Sequence, residues 1–291
     1  MPAFIQITDT HIVPKGQLAY GRSDTATALE CAVSTINDHL PLLGEDDCAI
    51  ITGDLTDHGT PEEYDRLKAI MAPLTLPWLA IPGNHDHRET MRAAFIDQDW
   101  MPPSGPIEWR RDFGTFTLIG LDTLLDGAHY GALSREGFSF VDRVLSEIGD
   151  QPAVIATHHP WMLSGIRAMD ADNLRNGAPL MERLQAHPGT VRMISGHVHR
   201  ALTTQIGKVT CQIAPAPCHA VHLDCREGAT NDLTLEPGAV TIYSWAERPA
   251  PLAPALNKLK QEGPKPEGPE PALVSNLLPI GKFPGPWPFA F

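Results

Sequence analysis

Two histidines in Gly196-His197-Val198-His199 directly follow the apolar run Val191-Arg192-Met193-Ile194-Ser195. Imidazoles at i and i+2, behind a small-residue turn, can point into one pocket from the end of a strand. Taken alone, the pair is equally compatible with two exposed loop histidines. Four earlier stretches, however, also place Asp, Asn or His straight after strand-like runs: Asp9-Thr10-His11, Gly53-Asp54, Gly83-Asn84-His85-Asp86 and His158-His159-Pro160. Mixed imidazole, carboxylate and amide donors suit Fe, Mn, Zn or Co better than calcium, which takes all-oxygen shells.

The elements that must position these groups alternate in kind. Strands are predicted at residues 3–8, 48–52, 78–81, 115–120, 153–157, 191–195, 207–214 and 239–245. Helices are predicted where Leu29, Val33, Ile36 and Leu40 keep a 3.6-residue spacing, and at 60–71, 88–98, 134–148 and 177–187. Thr60-Pro61-Glu62-Glu63 carries an N-cap, a proline at the first helical position and a capping-box glutamate. Residues 99–114 read as an irregular excursion. This alternation implies an α/β fold with a mixed or parallel-rich sheet, its site beyond the carboxyl ends of the strands.

From Ala246 the composition changes, with eleven prolines in the last 46 residues. The chain therefore divides into a body, 1–245, and a Pro-rich C-terminal arm, 246–291, whose aromatic end (283–291) is suited to docking on the body or on a second subunit. The net charge is −13, from 35 acidic and 22 basic residues. This disfavours a broad nucleic-acid or anionic-membrane surface. Without a basic segment and apolar core at the N-terminus, the chain reads as cytoplasmic, with its five cysteines as free thiols. No run is long and apolar enough to span a bilayer.

The five polar blocks, in this order and each after a strand, resemble the calcineurin-like binuclear metallophosphoesterases across residues 4–222. Within that superfamily, Thr8-Asp-Thr-His11, Tyr20-Gly21, Gly53-Asp54 followed by Pro61-Glu-Glu-Tyr64, and Cys218-His219 are similar to bacterial class III cyclic nucleotide phosphodiesterases and glycerophosphodiesterases. The resemblance implies a four-layer αββα sandwich of two mixed sheets flanked by helices. It also implies two metal ions, one held by Asp9, His11, Asp54 and His199, the other by Asp54, Asn84, His158 and His197. Asp54 would be shared, and with Asn84 neutral only two carboxylates face at least four positive charges, which draws in phosphate and acidifies a bridging water. His85 would bind a phosphoryl oxygen or protonate the leaving alkoxide, and Asp57 would hydrogen-bond His85 and orient it. Asn84, His85, His199 and His219 would contact substrate. Lys15, Tyr20 and Arg22 would rim the pocket or lie on the surface, and Trp161 replaces a second proline often found after His159-Pro160. His159 is expected to pack or to support the ligands. His39, His58, His87, His129 and His187 are read as solvated or structural.

The reaction these features imply is in-line attack of a metal-bridging hydroxide on a small phosphodiester, such as 3′,5′-cyclic AMP or a glycerophosphodiester. His58 stands where the protein phosphatases of the superfamily carry an arginine that clamps a dianionic monoester, so a monoanionic diester is favoured. The alternatives are a nuclease, a phosphomonoesterase or phosphonate monoesterase, and a non-catalytic scaffold. The acidic balance opposes the nuclease, and the complete donor set opposes the scaffold. A homo-oligomer is expected from the related enzymes and the aromatic arm.

Overall fold

Successive residues of the first strand, β1 (Ala3–Ile7), enter different cores. Ile5 and Ile7 pack outward with Leu29, Val33 and Leu67, whereas Phe4 packs inward with Phe116, Ile194 and Tyr243. β2 (Cys48–Thr52) does the same, with Ala49 and Ile51 outward and Cys48 and Ile50 inward. β2, buried on both faces, reads as a nearly unbroken apolar run, whereas β1 reads as an alternating one because Gln6 interrupts it.

The computed structural model describes residues 2–40, 47–247 and 270–283. Its first sheet has the order β13-β12-β1-β2-β3, where β3 is Trp78–Ile81, β12 is Ala239–Ala246 and β13 is Ala272–Pro279. The second has the order β4-β5-β6-β7-β9-β8, from Trp109–Asp112, Thr117–Gly120, Ala153–Ala156, Val191–Ser195, Leu202–Ile206 (β8) and Val209–Ile213 (β9). A short pair, β10 (Ala220–Val221) and β11 (Leu233–Thr234), stands apart. Helices α1 (Thr25–His39), α2 (Pro61–Met71) and α3 (Arg88–Ala94) flank the first sheet. Helices α4 (Arg135–Ile148) and α6 (Gly177–Ala186) pack with the second sheet's outer face, and the four-residue α5 (Arg167–Asp170) lies in the loop after β6. The result is the expected αββα sandwich. β1, β2 and β3 are parallel, as are β5, β6, β7 and β9.

The predicted capping box forms, Thr60 Oγ1 accepting from Glu63 N–H and Glu63 accepting from Thr60 N–H. Three readings change. The expected strand 207–214 is the second arm of a hairpin, β8–β9, because Gly207-Lys208 makes a two-residue turn with Gly207 at φ +57°. The excursion 99–114 contains β4, paired antiparallel with β5. Within the Pro-rich arm, residues 272–279 form an eight-residue strand beside β12 instead of a linker. Proline flanks and half-burial hid it. The aromatic end beyond 283 lies outside the described residues.

One polar side chain crosses the apolar layer between the sheets. Gln6 is fully buried, its Nε2 donating to Thr52 Oγ1 (2.9 Å) and Ser195 O (3.0 Å), while Tyr243 OH donates to its Oε1 (3.1 Å). It ties β1 and β2 to β7, one residue before the Gly196 loop. Gln6→Leu leaves Tyr243 OH buried without a hydrogen bond and takes one bond each from Thr52 Oγ1 and Ser195 O, and we expect a loss of about 2 kcal/mol in urea-induced unfolding. An unchanged midpoint would show that the brace contributes nothing.

Candidate metal centre

Six non-glycine residues have positive φ among the described residues, and five are Asp9 (53°), His11 (40°), Asp54 (49°), His197 (71°) and His199 (55°). The sixth, Tyr20 (53°), lines the same cleft. Left-handed backbone at a branched polar residue costs of order 1 kcal/mol or more and persists where the surroundings enforce it. Here the strand-end loops brace one another, through Asp9 N–H to Gly53 O (3.1 Å), His11 N–H to Asp54 O (2.9 Å) and Gly196 N–H to His158 O (3.1 Å). The loops meet too closely for side chains at three points, one of them Gly83, where a Cβ would lie 2.2 Å from Asp54 Oδ1. A Cβ on Gly53 (φ +93°) would lie 2.3 Å from His158 Nδ1, and one on Gly196 would lie 2.0 Å from Thr8 Oγ1.

Lone pairs converge on Asp54. His158 Nδ1 donates to Thr52 O (2.9 Å), so in the neutral ring Nε2 is an acceptor. It nevertheless faces two more acceptors, Asn84 Oδ1 at 3.1 Å and Asp54 Oδ2 at 3.3 Å. His11 repeats the pattern. Its Nδ1 is 3.0 Å from Asp57 Oδ1, and its Nε2 faces His199 Nε2 at 3.2 Å and Asp54 Oδ2 at 3.6 Å. His199 Nε2 also lies 3.3 Å from Asp9 Oδ1. A cation is what this arrangement of acceptors fits. Asp9, His11, Asp54 and His199 each offer a donor atom, all within 4.8 Å of one another. On the other side, His197 Nε2 is buried without a partner, its ring 5.2 Å from that of His158. Asp54 Oδ1 is occupied by His85 N–H (2.8 Å), so the oxygen facing both halves is Oδ2 alone.

The electrostatics carry the same signature. Burial would lower the His158 imidazole, but Asp54 and Asp9 override it and bring it up to about 9. Burial, aided by the charge on His158, pushes His197 down to about 3. Asp9 would be raised by burial, yet His199 and His158 hold it at about 2.

Asp57 supports a different histidine from the one expected. Its carboxylate bonds His11, whereas His85 Nδ1 donates to the Asp57 main-chain oxygen at 2.9 Å, with the carboxylate at 3.7 Å. His159 is a supporting residue, its Nδ1 2.8 Å from Thr123 Oγ1 and its Nε2 3.1 Å from His129 O. Asp86 was missed as a positioning residue. It accepts from the N–H groups of Leu55, Thr56 and Gly83, from Thr56 Oγ1 and from Tyr64 OH, clamping the Asp54 loop to the Asn84 loop. His39, His58 and His87 bond partners three to five residues away, and His187 Nε2 bonds Gln151 O, as structural residues do.

Above the donors lies a cleft of about 180 Å³. Asp54, Asn84, His85, His197, His199 and His219 reach its surface, while Asp9 and His158 are buried beneath it. The His219 ring lies 4.7 Å from that of His199, tilted by 59°, and burial together with His199 and His11 brings it down to about 2. Of the three rim candidates, Tyr20 lines the cleft, and Lys15 and Arg22 do not. Trp161 packs over Gly177 instead. His129, read as solvated or structural, also lines the cleft. No lysine or arginine does so among the described residues.

Residues 2–201 match the calcineurin-like phosphoesterase family model. A probable glycerophosphodiester phosphodiesterase from Arcobacter nitrofigilis is 34% identical, covering 98% of this chain and 96% of that protein. The 3′,5′-cyclic adenosine monophosphate phosphodiesterase CpdA of Pseudomonas aeruginosa is 28% identical over 74% of this chain and 75% of its own length. Among solved structures, a dimetal phosphatase from Danio rerio shares the fold with a TM-score of 0.56 and 12% identity, covering 82% of this chain and 94% of its own. On this sequence match and this geometry, the chain belongs to the calcineurin-like phosphoesterase family.

Proposed function

We propose that the protein is a metal-dependent phosphodiesterase acting on a small diester, a glycerophosphodiester or a 3′,5′-cyclic nucleotide such as cyclic AMP. The observation that carries the choice of ester is the absence, among the described residues, of lysine and arginine from the lining of a cleft whose floor gathers metal donors. A monoester dianion would find no side-chain cation to match its second charge. A diester monoanion needs none. The named activities of the Arcobacter and Pseudomonas relatives support the same reading.

In this reading Asp9, His11, Asp54 and His199 hold one ion, and Asp54, Asn84, His158 and His197 hold a second, the donor types suiting Fe, Mn, Zn or Co. When bound, such a pair lowers the pKa of water and offsets phosphate charge. The chain's own residues do the rest. His85, with Nδ1 committed to Asp57 O, keeps Nε2 for a phosphoryl oxygen or for proton delivery to the departing alkoxide. His199 and His219, packed against each other, bound the substrate on the side of Tyr20. A nuclease is disfavoured by the acidic chain and the cation-free lining, and a scaffold by the complete donor set.

An assembly of two or more copies is supported by β13. Its outer edge has no strand partner among the described residues, and it carries no charged side chain while exposing Val274 (40%) and Leu277 (54%). Strand edges are ordinarily guarded by charge, as β4 is by Arg110, Arg111 and Asp112. The free state of all five thiols supports a reducing compartment, the cytoplasm. No helix among the described residues is long and apolar enough to cross a membrane.

Two measurements test these readings. With Mn²⁺-loaded protein, kcat/KM for glycerophosphodiesters or cyclic AMP is expected to exceed that for the corresponding monoesters by at least about tenfold, a difference of roughly 1.4 kcal/mol in transition-state binding; a monoester preference would overturn the diesterase reading. In sedimentation velocity, Leu277→Lys is expected to shift the wild-type oligomer toward monomer, and a monomeric wild type would refute the assembly.

A further inference from the structure

His159 has no place in the donor set, yet it is fully buried and both its ring nitrogens have partners. One partner is the main-chain oxygen of His129, in the loop that crosses the cleft mouth. The same loop is held at further points. Gly131 N–H donates to Asn173 O (3.4 Å), Arg175 N–H to Gly131 O (2.8 Å) and Ala132 N–H to Thr123 O (3.1 Å), and the Arg175 guanidinium lies 4.4 Å from the Tyr130 ring centroid. At Gly131 the His159 ring passes where a Cβ would stand, 2.2 Å from Nδ1. The backbone around His129 is therefore fixed from three directions, while its imidazole is exposed to the cleft.

That imidazole faces His85, with ring centroids 6.4 Å apart and planes at 55°. One oxygen accepting from two N–H donors, each at about 2.9 Å, holds their nitrogens no more than about 6 Å apart. Ring centroids 6.4 Å apart allow nitrogens on the facing edges to meet that limit. Among the described residues the cleft offers no lysine or arginine for that purpose. We propose that His129 is a substrate-binding residue that grips, together with His85, a single oxygen of the reacting phosphate, and that the Thr123–His159 tether exists to hold it there. The proposal rests on the phosphoester reading of this site and adds a residue to it. His85, whose Nδ1–H is spent on Asp57 O, gives its N–H from Nε2 as the imidazolium, whereas His129 has an N–H to give even when neutral.

The test uses the full chain loaded with Mn²⁺, with bis(p-nitrophenyl) phosphate as substrate and inorganic phosphate as a competing ligand. His129→Ala is expected to lower kcat/KM by roughly ten- to a hundredfold, the loss of one hydrogen bond to a charged group, and to weaken phosphate inhibition in parallel. Bound metal should stay as in wild type, and added imidazole should restore part of the rate, which a purely structural role would not allow. His129→Gln, which keeps an N–H donor, should lose less. In a His85→Ala background the His129→Ala penalty should shrink, because the shared oxygen has already lost one donor. Unchanged kcat/KM and phosphate inhibition in His129→Ala, or a penalty of the same size with and without His85, would overturn the proposal. If the wild-type protein leaves the diester intact, the diesterase reading fails instead, and direct phosphate binding to wild type and His129→Ala decides this one.

Discussion

The structure depends on one electrostatic constraint, the crowding of acceptor atoms around Asp54 Oδ2. Two imidazole nitrogens, at 3.3 and 3.6 Å, approach it from opposite sides, each already using its other nitrogen on an oxygen. Burial makes this crowding costly unless a cation or a proton stands among the acceptors. The upward pull on His158 and the downward push on His197 are two faces of that constraint. The sequence led us to expect a shared Asp54, and it is the Oδ2 oxygen that the imidazoles of His11 and His158 both face.

Much of the fold serves to hold that crowding in place. Strands buried on both faces fix the heights at which the loops leave the sheets, and Gln6 fixes the spacing between the sheets just beneath them. Left-handed turns at five donor residues then end β1, β2 and β7 abruptly, and glycines at 53 and 196 let the loops touch. Asp86 clamps two of the loops from behind. The strain is concentrated where the donors are, which is what a site assembled in advance of its ligand requires.

The donors were legible in the sequence because each follows an apolar run, and the runs were legible because both faces of each strand are buried. The capping box at Thr60 was legible because its chemistry is local. What escaped the sequence depends on distances between remote segments. Whether Asp57 serves His11 or His85 turns on 3.0 against 3.7 Å, set by how two loops dock. His129 looked like any loop histidine, since its place over the cleft comes from His159, thirty residues away. Gln6 sat at an alternating polar position that also fits a solvent-facing residue. β13 was hidden by prolines on both sides and by a pattern that a half-exposed edge strand shares with a linker.

The bridge through Asp54 is the claim on which the rest stands, and metal content tests it most directly. After loading with Mn²⁺ and dialysis, wild-type protein should retain two ions per chain, Asn84→Ala one, and Asp54→Ala neither in full occupancy. Equal metal content in wild type and Asp54→Ala would contradict the account.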